Sequence, residues 1–124
     1  MQKFILISGA ISSGLAVMIG AFGAHALKAT LEATERVATF ETAVKYHFYH
    51  SLALLIIGLL WYKIPHKFLH YAAWSHIVGL ILFSGSLYIL CLSNNGKWGA
   101  ITPLGGLAFI VGWVLVGLAV YRGA

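Results

Sequence analysis

Charged side chains are scarce in this 124-residue chain, and acidic ones are almost absent. Charged residues make up 9% of the sequence and hydrophobic residues 60%. The three acids, Glu32, Glu35 and Glu41, all lie in one connection. A water-soluble domain of this size needs a charged surface that this sequence does not have. The composition therefore excludes an ordinary soluble domain.

Other features are missing as well. Cys91 is the only cysteine, so no intramolecular disulfide can form. The formal net charge is +5, yet no basic cluster with interleaved aromatic residues exists, which argues against nucleic-acid binding. No dinucleotide or phosphate-loop motif is present, and no internal repeat suggests an inverted-repeat transporter.

Four long apolar stretches fill almost all of the chain. Each has about the ~20 residues that a helix needs to cross a bilayer. We therefore predict one all-α domain over residues 1–124, an integral membrane bundle of four transmembrane helices. The stretches are Phe4–Leu27, Val44–Tyr62, Tyr71–Leu92 and Pro103–Tyr121.

The connection between the first two stretches has a different character. Apolar residues recur at helical spacing from Ala33 to Val44, and charged residues occupy the other faces. Glu32 with Arg36, and Glu41 with Lys45, have the i, i+4 spacing of favourable helical pairs. This pattern predicts an amphipathic helix at the membrane surface that continues into the second span, projecting or bending near Lys45. Membrane lipids are accordingly the expected partners.

Small residues form a row along the first span. They recur every fourth residue from Ser8 to Ala24, which lets another helix backbone approach closely. We expect this helix to be the central and most buried one. Glycines in the fourth span also invite close packing, so spare small-residue faces suggest a homo-oligomer.

Histidines near one end of the bundle are the main chemical candidates. His47 and His50 share a helix face, His25 ends the first span, and Glu41 and Tyr49 lie nearby. Such a set could hold a metal or a haem, or relay protons. Equally, histidine and tyrosine at a membrane interface often serve only as anchors. Both interpretations stay open, and the sequence identifies no cofactor.

Polar residues in the last two spans favour packing rather than catalysis. No acid lies inside any span, and the hydroxyls have no evident paired base, so an enzyme is the less favoured class. A glycine pair near a helix start could bind an anion, but close packing explains it adequately. The residues concerned are Ser84, Ser86, Thr102, Gly105 and Gly106.

The distribution of cations between the two sides gives a weak prediction of the protein's orientation in the membrane. Four lie on each side of the membrane, but only the side with the termini lacks acids. We expect both termini in the cytoplasm.

Four segments in order resemble one known family over nearly the whole chain. They are GAFGAHAL (Gly20–Leu27), AVKYHFYHSLALL (Ala43–Leu55), FSGSLYIL (Phe83–Leu90) and GAITPLGGLAFIVGW (Gly99–Trp113). Together they resemble the "domain of unknown function 423" family of small four-helix bacterial membrane proteins, which is similar to transmembrane protein 256 of eukaryotes.

The resemblance implies an inner-membrane protein, but it implies no particular biochemical activity for this chain. Its pattern matches His25 and His50, whereas an amide such as glutamine is expected in many relatives where this chain has His47. The resemblance thus leaves His25 with His50 as the better pair. Two classes remain: a non-catalytic structural, interaction or lipid-associated component, or a protein that binds or transfers a metal, haem, quinone or proton.

Overall fold

The computed structural model describes residues 1–123, and the regular elements in that range are all helical. Four helices are long and apolar enough to cross a membrane, which confirms the predicted all-α four-span architecture. The elements are α1 (Gln2–Ala24, span 1), α2 (Lys28–Ala33), α3 (Val37–Lys63, span 2), α4 (Lys67–Gly79), a π turn (Leu80–Ser84) and α5 (Gly85–Ser93), the last three forming span 3, then a 3-10 helix (Gly96–Ala100) and α6 (Thr102–Gly123, span 4).

The predicted amphipathic helix is present but short and separate. Helix α2 ends where Glu35 adopts a left-handed conformation, with φ 57°, and the Arg36 N–H donates to the Leu31 carbonyl at 2.9 Å. This is the hydrogen bond that commonly closes a helix at a left-handed residue. The chain therefore breaks at Glu35, and α3 runs from Val37 to Lys63 without a break near Lys45, one of the two alternatives left open by the sequence. Arg36 lies beyond the break. Its Nε–H donates to Asn94 Oδ1 at 3.2 Å, rather than to Glu32, its predicted partner.

Span 3 contains one wide turn. The five residues Leu80–Ser84 form a π turn within an otherwise α-helical span. Such single wide turns insert a residue and re-aim the side chains around them. Here Ser84 donates across to the Ala43 carbonyl of span 2 at 2.8 Å.

Spans 2 and 3 form the centre of the bundle, and spans 1 and 4 lie outside. In its most apolar stretch, span 1 has 17% of its residues buried, compared with 44% for span 2. The expectation that helix 1 is central was therefore wrong. Its glycines Gly9, Gly20 and Gly23 all face span 2. The small-residue row marks one close helix contact, and a single contact does not make a helix central.

Two apolar clusters stabilise the ends of the bundle. One, near the termini, includes Ile5, Leu54, Ile57 and Leu69. The other, near the α2 end, includes Leu31, Phe40 and further residues of span 3. The buried residues His47, His50, Ser51 and His76 lie between the clusters, at middle depth in the bundle.

Candidate functional site

A chain of hydrogen bonds joins spans 1, 2 and 3 around His47. Tyr88 Oη lies 2.8 Å from His47 Nδ1, and His47 Nε2 lies 3.0 Å from Ser12 Oγ. Ser12 Oγ is 2.5 Å from Ser51 Oγ, whose hydroxyl donates to the His47 carbonyl at 2.6 Å. Because Ser51 has given its only proton to that carbonyl, Ser12 donates to Ser51 and His47 Nε2–H donates to Ser12. Each group therefore donates to the next, from Tyr88 through His47, Ser12 and Ser51 to the His47 carbonyl, and every hydroxyl proton in this chain forms a hydrogen bond.

His50 makes the equivalent link between spans 2 and 4. Its Nδ1–H donates to the Tyr46 carbonyl at 2.9 Å, which leaves Nε2 as an acceptor. Trp113 Nε1–H donates to that Nε2 at 3.0 Å. The ring also stacks on Phe109, with centroids 3.6 Å apart. Both nitrogens of this buried imidazole are therefore satisfied from within the protein.

His76 of span 3 lies beside His50, and its ring is 0% exposed. Its Nδ1–H donates to the Ala72 carbonyl at 2.8 Å. Its Nε2 has no hydrogen-bond partner among residues 1–123. The His50 ring centroid is 5.3 Å away, and Gly112 lies so close that a Cβ there would overlap the imidazole.

The structure does not bring the predicted histidine pair together. Span 1 runs antiparallel to span 2, with Ser12 against His47 and Gly23 against Phe40. His25 follows Gly23, so it lies at least about 15 Å along the axis from His50 at ~1.5 Å per residue. His25 is exposed at the end of α1. The structure therefore places the two candidate histidines, His25 and His50, apart.

The other ligand candidates also point elsewhere. Glu41 and Tyr49 are both exposed; the Tyr49 ring lies 6.2 Å from that of Tyr46. Within residues 1–123, no group of three or more histidine, cysteine or acidic side chains is arranged to hold a metal ion. The predicted histidine cluster is thus divided between two buried hydrogen-bond networks and an exposed surface.

The polar residues of spans 3 and 4 make contacts typical of helix packing. Ser86 Oγ lies 2.6 Å from Thr102 Oγ1, which joins the two spans. Gly105 lies directly against the backbone of Phe83, with no room for a Cβ, whereas a Cβ at Gly106 would only touch the Phe83 ring at 3.8 Å. An anion could not reach the Gly105 backbone on that side.

A large cavity lies elsewhere, between the end of α1, α2 and the start of α3. Its volume is about 600 Å³. We call it the interfacial groove. It is lined by four charged residues, Lys28, Glu32, Glu41 and Lys45, and by apolar and small residues, Gly20, Gly23, Ala24, Leu31, Val37, Phe40 and Val44.

A second cavity of about 330 Å³ continues along the same two spans. It shares Gly20, Val44 and Lys45 with the interfacial groove and extends past Ala16 and Phe48. We call it the apolar cleft. Neither cavity was predicted from the sequence, because Glu32 was paired with Arg36 and Glu41 with Lys45 within one helix, and Lys28 was given no partner. Their repeated spacing on two helices, Lys28 with Glu32 and Glu41 with Lys45, was the available signal.

We call the two hydrogen-bond networks around His47 and His50 the polar layer; its members are Ser12, His47, His50, Ser51, Tyr88 and Trp113. Together, the four spans and this polar layer define a small polytopic α-helical membrane protein. A family model described as "Protein of unknown function (DUF423)" matches residues 19–106. The chain belongs to this family, which confirms the resemblance found in its sequence.

Several bacterial relatives are similar over nearly their whole length. The UPF0382 membrane protein YwdK of Bacillus subtilis is 41% identical over 98% of both chains. The UPF0382 membrane protein SAB0533 of Staphylococcus aureus is 41% identical over 98% of both chains. The UPF0382 inner membrane protein YgdD of Escherichia coli is 37% identical over 93% of this chain and 87% of its own length. The predicted membrane localisation is confirmed. No solved structure matches this chain.

Proposed function

We propose that this protein is a non-catalytic membrane component that binds a phospholipid in the interfacial groove. The observation that carries the proposal is that the two cavities adjoin each other and share Gly20, Val44 and Lys45, so that a charged rim lies next to an apolar cleft between spans 1 and 2. A phospholipid has the same order of polarity, from headgroup to acyl chain.

The buried histidines favour a structural role over a transfer role. His47 and His50 have both ring nitrogens bonded within the protein. Polar side chains in a membrane bundle hydrogen-bond across helices in this way to hold them together. A ligand would have to displace these bonds, whereas the groove charges are exposed and line an open space.

Native mass spectrometry in a mild detergent tests the lipid site. We expect the parent protein to retain phospholipid. Ala24→Trp places a bulky ring in the groove, since Ala24 lines it and is exposed, and should abolish retention. Ala21→Trp is the matched control, because Ala21 is exposed on the same helix outside the lining of the groove. Equal retention by both variants would contradict the proposal.

The outward face of span 1 supports self-association as a second candidate function. Ala10 and Gly14 are exposed one turn apart, and a Cβ at Gly14 would meet no neighbour within 4 Å. This is the small-xxx-small pattern of close helix pairs. Gly117 of span 4 is equally open, but Trp113 and Tyr121 flank it at that spacing.

Energy transfer between labelled copies in liposomes tests self-association. We expect Gly14→Leu to lower the transfer efficiency and Gly117→Leu to leave it unchanged. Efficiency at the random-collision level in the parent would reject a homo-oligomer.

For orientation, we propose that both termini are cytoplasmic, which places the interfacial groove in the outer leaflet. The side with the termini carries cations without acids. In a Cys91→Ala background, an impermeant maleimide should label Lys97→Cys in intact cells and leave Lys67→Cys unlabelled. The reverse labelling would invert the topology.

A further inference from the structure

We infer that the interfacial groove selects a zwitterionic phospholipid with a primary amine, of the phosphatidylethanolamine class. This inference rests on the phospholipid site proposed above and names the headgroup it takes. The observation behind it is the arrangement of two cations and two anions around one apolar groove.

The rim of the groove is balanced in charge. Lys28 and Glu32 come from α2, and Glu41 and Lys45 come from α3. All four side chains are exposed, so they are free to bind a charged group. A lipid with net negative charge would gain from the lysines but be repelled by the glutamates. A headgroup that carries one charge of each sign complements the rim without that repulsion.

The order of charges along α3 matches the order within a phospholipid. Lys45 lines both the groove and the apolar cleft, so it stands where the cleft opens into the groove. Glu41 lies one turn nearer the start of the helix, about 6 Å along the axis at ~1.5 Å per residue. In a phospholipid, the phosphate follows the glycerol and the amine follows the phosphate. Lys45 is therefore placed for the phosphate and Glu41 for the amine.

The choice between amine headgroups follows from hydrogen bonding. A primary ammonium offers three N–H donors, as the lysine side chain does. Each can form a charge-assisted hydrogen bond with a carboxylate such as Glu41 or Glu32. The quaternary ammonium of phosphatidylcholine has no N–H to donate. We therefore expect discrimination against choline as well as against anionic glycerol headgroups.

Competition between lipids with identical dioleoyl chains tests the inference. Phosphatidylethanolamine, phosphatidylcholine and phosphatidylglycerol are titrated against the purified full-length protein, and the bound fractions are measured by native mass spectrometry. We expect the ethanolamine lipid to bind about tenfold more tightly than either competitor, the size expected from one charge-assisted hydrogen bond. Glycerophosphoethanolamine, which lacks acyl chains, should not displace it.

Charge-neutral variants identify the residues responsible. Glu32→Gln with Glu41→Gln should remove the preference for ethanolamine over choline and raise phosphatidylglycerol binding. Lys45→Gln should weaken the binding of all three lipids by a similar factor, because all three carry the phosphate. Glu35→Gln is the matched control, since Glu35 lies in the same connection, is exposed and does not line the groove.

The outcomes separate this inference from the proposed function. Equal affinity for the three lipids, or a preference for phosphatidylglycerol, overturns the headgroup assignment and leaves the phospholipid site intact. Failure of the parent to retain any lipid overturns both. A preference that Glu32→Gln with Glu41→Gln does not change would also contradict the inference, because selection would then lie outside the groove.

Discussion

The polar layer in the middle of the bundle and the interfacial groove at its edge use polar residues in opposite ways. In the layer, His47 and His50 are 8% and 5% exposed, and all their ring nitrogens are bonded. In the groove, the four charged side chains are exposed around an open volume of about 600 Å³. Two of the histidines singled out in the sequence, His47 and His50, therefore already have both ring nitrogens bonded within the protein. The residues free to bind are the ordinary charges of a surface helix.

Close packing of spans 3 and 4 predicts the largest effect. Gly105→Ala places a methyl group against the Phe83 backbone, which cannot move without separating the spans. We expect a loss of about 3 kcal/mol in the free energy of unfolding, the upper range for overpacking. Gly106→Ala meets only the edge of the Phe83 ring and should cost less than about 0.5 kcal/mol. Reversible unfolding in mixed micelles measures both, and equal costs would contradict the close packing of Gly105 against the Phe83 backbone.

The two histidines that the sequence paired should behave very differently. His50→Ala leaves the Trp113 indole without its acceptor and removes the ring that stacks on Phe109. We expect a cost of about 2 kcal/mol for the unpaired donor and the lost packing. His25→Ala, at an exposed position, should lie within about 0.5 kcal/mol of the parent.

The same two variants test the metal hypothesis. Metal analysis of protein purified without chelator should give equal background values for the parent and both variants, because the candidate ligands do not converge. Stoichiometric metal that is lost in His25→Ala would contradict this geometry.

His47 offers a finer test of the polar layer. His47→Ala removes the acceptor for Tyr88 and the donor for Ser12, and we expect a cost of about 1–2 kcal/mol, as for hydrogen bonds between membrane helices. His47→Gln supplies an amide oxygen for Tyr88 and an N–H for Ser12. It should therefore recover most of the lost stability. If glutamine were as destabilising as alanine, the hydrogen-bond chain would not be what matters at this position.

The number of spans and the class of protein could be predicted because the length of a hydrophobic stretch is a local property of the sequence. The interfacial helix could be predicted because the spacing of its apolar residues is local as well. The position of span 1 could not, because Gly9 and Gly20 show that a neighbour is close without showing how many neighbours there are. The break at Glu35 was also hidden, since a left-handed residue that ends a helix is usually glycine.

The candidate site was harder to predict than the fold. Sequence spacing places His47 and His50 on one helix face, but only the antiparallel register shows that Ser12, and not His25, lies opposite His47. Trp113 and Tyr88 complete the networks from spans 4 and 3. Contacts of this kind depend on which faces of separate helices meet, and one sequence does not record that.

The smallest effect on stability should come from the residues that matter most for binding. Glu32→Gln with Glu41→Gln removes two exposed charges that line a cavity, and exposed charges contribute little to folding. We expect a change below about 0.5 kcal/mol in detergent without added lipid. Added phosphatidylethanolamine should stabilise this variant less than the parent, because a ligand raises stability in proportion to its binding to the folded state and the variant keeps only the weaker, unselective binding. A large loss of stability without lipid would mean that the groove charges support the fold, and the contrast between the layer and the groove would fail.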